Sequence, residues 1–151
     1  MPADPAARVW ARGLALINVA DSHPLIVPRV RHYLTDVLKL SDEQRLAWIR
    51  HWLDAGLEAM EALRAEHPSS GRFRHGDGPT VADICLVTQV TPAKTFNLSL
   101  DPYPRVMRIH DACMAIPAFA DAHPAKQPDA EWRGELIVAA RNSRPLKSAG
   151  V

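Results

Sequence analysis

The strongest signals for local structure lie in residues 76–87, which join a turn rich in glycine and proline to a helix start. Thr80 and Asp83 have the spacing of a capping box, with Asp in the position where Glu or Gln is usual. The threonine hydroxyl can accept from a backbone N–H of the first turn, and the carboxylate can reach back to the N–H of Thr80. Asp83 also places negative charge where the helix dipole favours it. We therefore predict a well-defined helix from Thr80, with Thr80 and Asp83 as its structural cap.

Two other helix starts are predicted from the same kind of signal. Asp4 followed by Pro5 is typical of an N-cap and a first helical residue, and Ser41 with Gln44 has capping-box spacing. The helix after Ser41 carries apolar residues at a period near 3.6, namely Leu46, Ile49, Leu53, Leu57, Met60 and Leu63. Burial of each Leu or Ile side chain contributes about 1.5–3 kcal/mol, so this face can organise a core.

Prolines mark the expected limits of the remaining helices. Pro92 should end or bend the helix from Thr80, because proline lacks a donor N–H and its ring clashes with the preceding turn. A further helix is expected at about residues 102–114, and a short one after Pro117. No segment shows the alternation of apolar and polar residues that is typical of strands. The prediction is an all-α helical bundle.

Composition excludes several classes of function. The chain has 151 residues, a net charge of +1 and 23% charged residues, so it has no general field that would attract nucleic acid or a membrane surface. No apolar run is long enough to cross a bilayer. Cys85 and Cys113 lie in apolar stretches and form no CxxC pair, which favours reduced, buried thiols in a cytoplasmic protein. No zinc pattern, P-loop or dinucleotide fingerprint is present.

The helix start at Thr80 is one of several motifs with a familiar arrangement. The others lie at residues 21–25, 51–57, 86–90, 100–106, 115–119 and 123–129. With these motifs the sequence resembles the all-helical C-terminal domain of the glutathione transferases, and most closely the zeta class, the maleylacetoacetate isomerases. We assign residues 1–130 to this domain and residues 131–151 to an additional C-terminal tail that is partly helical or frayed.

The resemblance also implies a second domain that this sequence lacks. Such enzymes carry most of the glutathione site in an N-terminal thioredoxin-like domain, with a Ser-Ser-Cys motif at a helix start, where the thiol pKa is lowered. Residues 1–4 fall where the family's inter-domain linker would end. The expectation is therefore a truncated gene product, a dissected domain or a split protein. The full enzyme would add glutathione to a cis double bond, allow rotation, and expel glutathione from the trans isomer.

Three positions correspond to family contacts in the helical domain. The resemblance implies that His23 and Arg29 contact the glutathione cofactor, while Ile26 and Val27 replace two asparagines of the family motif. Thr95 stands where the family has an arginine that binds the substrate carboxylate, so it is the substrate-binding position for a small acidic substrate. No catalytic residue and no metal ligand is predicted in this chain.

Each of these positions also has a plainer interpretation. His23 precedes a proline and fits a turn residue at a helix break, Arg29 and Arg31 fit a solvated helix face, and Lys94 fits ordinary surface. The acidic residues of 51–61 fit the surface of a helix rather than a metal site.

Two functions follow as hypotheses. The first is the substrate-side domain of a glutathione-dependent maleyl isomerase or glutathione transferase, inactive alone because the glutathione-binding domain is absent. The alternative is a non-catalytic helical module that forms a homodimer or binds a partner such as a thioredoxin-like domain. An uncovered docking surface would lie around the first helix and the helix from Thr80, and exposed apolar surface of that kind usually forms an interface.

Overall fold

The computed structural model describes residues 1–65, 71–128 and 130, and within these it contains helices and no strand. The α-helices are α1 (Pro5–Leu16), α2 (Pro28–His32), α3 (Asp42–Ala65), α4 (Val81–Thr95), α5 (Pro104–Met114) and α6 (Pro117–Asp121). The chain between and after them includes π-helical segments at Ile17–Ser22 and Tyr33–Val37 and 3-10 turns at His23–Leu25 and Pro124–Lys126. The all-α prediction is confirmed for this part of the chain, whereas the predicted tail at 131–151 lies outside the described residues.

Helix α3 forms the centre of the fold. It begins with the predicted capping box, in which the Gln44 N–H donates to Ser41 Oγ at 3.2 Å and the Ser41 N–H donates to Gln44 Oε1 at 2.9 Å. The apolar face predicted from its sequence is buried at Ile49, Leu53, Leu57 and Met60, whereas Leu46 is half-buried and the prediction is wrong for Leu63, which is exposed near the end of the helix. This face packs against α4 and α5, which contribute Leu86, Val90, Val106 and Ile109. The 3.6-residue period thus locates the core correctly.

Helix α4 begins directly after the predicted cap. Asp83 is completely buried and accepts from the Thr80 N–H at 2.7 Å, from the Thr80 hydroxyl at 2.8 Å and from the Arg74 N–H at 2.6 Å. Thr80 Oγ1 accepts from the Ala82 N–H at 3.2 Å. The capping box is confirmed, and its carboxylate additionally holds the loop before the helix.

Two helix limits differ from the prediction: α4 does not end at Pro92, which was one of the two outcomes expected there, and α5 starts two residues after the expected position of about 102. Helix α4 continues for three residues past Pro92, because proline removes only its own N–H and the Phe96 N–H still donates to the Pro92 carbonyl at 2.9 Å. Helix α5 begins at Pro104 instead of residue 102. Its first free N–H groups, those of Arg105 and Val106, donate to the Glu61 carboxylate of α3 at 3.1 and 2.8 Å. A distant side chain therefore determines where α5 starts.

Buried polar groups fix the segment after α1 against α4. The Asn18 side-chain amide donates to the Cys85 carbonyl at 2.8 Å, and the Gln89 amide donates to Ser22 Oγ at 3.1 Å. Helix α3 approaches the same place at Gly56, where an added Cβ would lie 2.4 Å from Ser22 Oγ. These contacts fix the position of the first helix break, which is the segment of residues 17–27 between α1 and α2. They therefore also fix the 3-10 turn that starts at His23.

Candidate functional site

A cavity of about 580 Å³ lies between the first helix break, α2, α4 and α6. Its wall is mainly apolar: the break contributes Ile26 and Val27, α4 contributes Ile84 and Val87, and α6 contributes Phe119. The volume is within the range of small-molecule sites, which typically combine apolar walls with a few polar groups. The cavity can therefore hold a small ligand.

Arg31 supplies the permanent positive charge of this cavity wall. It lies one turn into α2, is half-buried, and its guanidinium carbon is 5.6 Å from the centre of the Phe96 ring, which also lines the cavity. Its Nε atom is buried and has no hydrogen-bond partner among the described residues. Burial, with the nearby charge of Arg45, lowers the pKa of Arg31. The expected solvated face of α2 is thus wrong for this residue.

Two histidines add neutral or positive polar groups to the same wall. His23 is half-buried at the start of the 3-10 turn, and its Nδ1 atom is buried without a partner in the described structure. His123 lies after α6, and its Nδ1 accepts from the Ala125 N–H at 3.2 Å, which leaves Nε2 as the ring donor of the neutral form. The described residues that line the cavity include no Asp or Glu. The site therefore favours an anion with an apolar body.

The structure brings only one of the three predicted ligand contacts to this cavity. His23 lines it, whereas Arg29 is exposed on α2 and is not part of the wall. The Thr95 hydroxyl donates to the Thr91 carbonyl of its own helix at 3.1 Å, and Thr95 does not line the cavity, although Thr91 does. Lys94 is exposed, with Nζ 3.5 Å from His110 Nε2. Sequence reasoning missed Arg31.

The signal that could have identified Arg31 is its spacing. Arg31 follows Val27 by four residues and Pro28 by three, so the three side chains share one face across the start of α2. Val27 and Pro28 also line the cavity. Arg29, two residues before Arg31, is turned away by the helical repeat.

The remaining candidate groups have structural roles. Both cysteines are free and buried, and burial with the Asp83 carboxylate raises the pKa of Cys113 to about 12. Burial likewise raises the pKa of Cys85, so neither thiol is a ready nucleophile. In the acidic stretch of α3, Asp54 accepts from the Tyr103 hydroxyl and Glu61 caps α5. The part of the chain that the structure describes holds no group of three or more His, Cys, Asp or Glu suited to a metal ion. None of its helices is long and apolar enough to cross a membrane.

Known proteins share both the sequence and the fold of this chain. Maleylpyruvate isomerase of a Ralstonia species is 41% identical over 129 residues, which cover 85% of this chain and 61% of that protein. Maleylacetoacetate isomerase of Pseudomonas aeruginosa is 39% identical, with 85% and 58% covered. No protein-family model matches the sequence.

Solved structures agree with these relatives. A holo maleylpyruvate isomerase, described as a bacterial zeta-class glutathione S-transferase, superposes with a TM-score of 0.83 at 41% identity, over 86% of this chain and 61% of that one. Maleylacetoacetate isomerase of Anaeromyxobacter dehalogenans, with glutathione in its active site, gives a TM-score of 0.78 at 36% identity, over 86% and 58%. This chain belongs to the zeta class of the glutathione transferases, and it matches their helical C-terminal domain. It spans about 60% of the length of its curated relatives.

Proposed function

We propose that this chain is the substrate-side domain of a glutathione-dependent isomerase that converts a small maleyl-type acid from the cis to the trans form. The observation that supports this most is the cavity, because it is apolar, of suitable volume, and lined by cationic and neutral polar groups without a carboxylate among the described residues. Its relatives carry the names maleylpyruvate and maleylacetoacetate isomerase. A domain of this kind holds the acid while glutathione attacks its double bond.

The nucleophile of this chemistry is the thiolate of glutathione. Neither Cys85 nor Cys113 is suited to replace it, because both are buried and their thiol pKa values are raised. Addition of glutathione to the cis double bond makes the central bond single and free to rotate, and expulsion of glutathione restores the double bond in the trans form. We propose that a thioredoxin-like domain presents the thiolate, and that the isolated chain does not turn over substrate.

The test is to join the chain to the part of the Ralstonia isomerase that lies outside the matched region, and to follow the conversion of maleylpyruvate in the presence of glutathione by absorbance. We expect turnover by the joined protein and none by the isolated chain. Thr88→Trp should abolish the turnover, because Thr88 is an exposed position on the cavity wall and the larger side chain would fill the space. Glu43→Trp, in the exposed first turn of α3, is the matched control. Turnover by the isolated chain, or an inactive joined protein that is folded, would contradict the proposal.

The proposed cofactor contacts can be measured separately. By resemblance, His23 and Arg29 would meet glutathione, and the structure places His23 on the cavity and Arg29 on the exposed side of α2. Calorimetric titration of the chain with glutathione should give at most weak, millimolar binding, which corresponds to about 4 kcal/mol. Saturable binding that His23→Ala and Arg29→Ala both weaken would support the two contacts. Binding that neither substitution alters would remove them from the site.

A second candidate function rests on exposed apolar side chains. Helix α1 and the π-helical segment after it carry three apolar side chains that are 54–68% exposed, namely Val9, Leu16 and Val19. Ile84 of the neighbouring helix α4 is 53% exposed. Side chains of this size in one region are typical of an interface. We propose that this face docks a thioredoxin-like domain or a second copy of the chain. Sedimentation should show a dimer that Leu16→Asp dissociates, whereas a monomer at every concentration would argue against self-association.

A further inference from the structure

We infer that Arg31 binds a carboxylate of a small organic acid inside the cavity, with His23 as a second donor. The identity of that acid as a maleyl-type substrate rests on the proposed function, but binding at Arg31 is a property of this chain alone. The inference assigns to α2 a contact that the sequence comparison with the family would have placed at Thr95 in α4.

The first argument is the unsatisfied Nε–H of the half-buried Arg31 guanidinium. Arginine is always charged in proteins and offers five N–H donors. Nε of Arg31 is buried without an acceptor in the described structure, and besides burial the charge of another arginine, Arg45, lowers the pKa of Arg31. Burying an unpaired charged donor is costly. A ligand that brings two oxygens removes that cost, because a carboxylate matches the guanidinium fork bidentately.

The second argument is the composition of the surrounding wall. His23 Nδ1 is the other buried polar atom of the wall that lacks a partner among the described residues. His123 offers Nε2–H in its neutral form, because its Nδ1 already accepts a backbone N–H. Since Asp and Glu are absent from the described lining residues, nothing in the wall competes with an incoming carboxylate. The apolar remainder, with the Phe96 ring beside Arg31, suits a short carbon chain.

The third argument is that neither Lys94 nor Thr95, the other two candidates for binding the carboxylate, reaches the cavity. Lys94 is exposed and lies against His110, outside the cavity wall. Thr95 has its hydroxyl bonded to the backbone of its own helix. Among the described residues, Arg31 is therefore the lysine or arginine that reaches the cavity.

The test uses the full chain, without glutathione, and maleate as the probe. Titration followed by calorimetry and by amide chemical shifts should show saturable binding in the millimolar range. Arg31→Met keeps the unbranched stem of the side chain as far as the position of Nε and removes the charge, and it should weaken maleate binding at least about tenfold. Arg31→Lys should recover part of the affinity, since it restores a point charge but not the fork. Arg12→Met makes the same change at an exposed position of α1 that does not line the cavity, and it should leave binding unchanged.

Three further readouts keep the result unambiguous. Dimethyl maleate, which carries no charge, should not distinguish the original chain from Arg31→Met. Arg31→Met should unfold at the same or a higher urea concentration, so that weakened binding cannot be attributed to a damaged fold. Equal affinity for maleate in the original chain and Arg31→Met, or no maleate binding below about 20 mM, would overturn the inference. The two proposals can fail separately. If maleate binding depends on Arg31 but the joined protein shows no turnover, only the proposed function is rejected.

Discussion

Removal of the Asp83 carboxylate should cost far more than removal of an ordinary helix cap. Asp83 is completely buried and accepts three hydrogen bonds, from the N–H groups of Arg74 and Thr80 and from the Thr80 hydroxyl. A hydrogen bond to a charged group contributes about 1.5–3 kcal/mol, and each buried donor that loses its partner costs about 1–3 kcal/mol. The three bonds share one carboxylate whose own burial is unfavourable. We therefore expect Asp83→Ala to lose about 3–5 kcal/mol, well above the ~0.5–2 kcal/mol of a simple cap.

The matched control is Asp4→Ala, which removes the cap of α1. Asp4 is exposed and accepts a single bond, from the Ala7 N–H at 2.7 Å, so its loss should stay near 1 kcal/mol. Urea unfolding followed by the fluorescence of the four tryptophans measures both variants. If Asp83→Ala does not fold, Asp83→Asn retains one acceptor oxygen and should fall between the two. Equal losses for Asp83→Ala and Asp4→Ala would refute the reasoning from burial and bond number.

Two further predictions concern packing and pH. Gly56→Ala should cost about 1–3 kcal/mol, because the new Cβ would lie 2.4 Å from Ser22 Oγ. The control is Gly13→Ala, whose Cβ would meet nothing within 4 Å, and it should raise the free energy of unfolding by up to about 1 kcal/mol. Equal urea midpoints for the two variants would contradict the close approach at Gly56. Burial, with the charge of Lys94, lowers the pKa of His110 below its ordinary 6.5. The folded state then binds fewer protons than the unfolded state, so this contribution to stability is present above pH 6.5 and is lost as the pH falls through the lower folded-state pKa. The urea midpoint should therefore fall less between about pH 7.5 and 5.5 in His110→Gln than in the original chain, and identical slopes would exclude His110 as a source.

Features encoded within a few residues were predictable from the sequence. The caps at Thr80 and Ser41 and the buried face of α3 depend on spacings of three or four residues, and the structure confirms them. The start of α5 was not predictable in this way. Its first N–H groups bind Glu61, which lies more than forty residues earlier in the chain. The start expected from the sequence, at about residue 102, is therefore two residues too early.

At the candidate site, too, some residues can be identified from neighbouring sequence and others depend on contacts between distant parts of the chain. Resemblance to the zeta class directs attention to His23, and the structure places His23 on the cavity wall. Arg29 and Arg31 looked alike in the sequence, as neighbouring basic residues of one short helix. Which of them faces the cavity depends on where α2 begins and on how the preceding break packs against α3 and α4. Buried contacts of Ser22 and Asn18 set that packing, and neither residue carries a sequence signal for it.

The unpaired polar atoms of the fold differ in what surrounds them. Asn18 Oδ1 and Gln89 Oε1 lack partners among the described residues, yet both side chains donate hydrogen bonds that hold helices together. Arg31 Nε and His23 Nδ1 lack partners on the wall of an open cavity, and neither side chain makes a hydrogen bond to the rest of the described structure. In Asn18 and Gln89, the hydrogen bond that the side-chain amide donates offsets the cost of leaving its oxygen without a donor. The second pair, Arg31 and His23, makes no such hydrogen bond among the described residues, where Arg31 only lies beside the Phe96 ring, so a ligand with a carboxylate group is the partner we favour. Loss of Arg31 should then weaken binding without lowering stability, whereas loss of Asn18 or Gln89 should reduce stability.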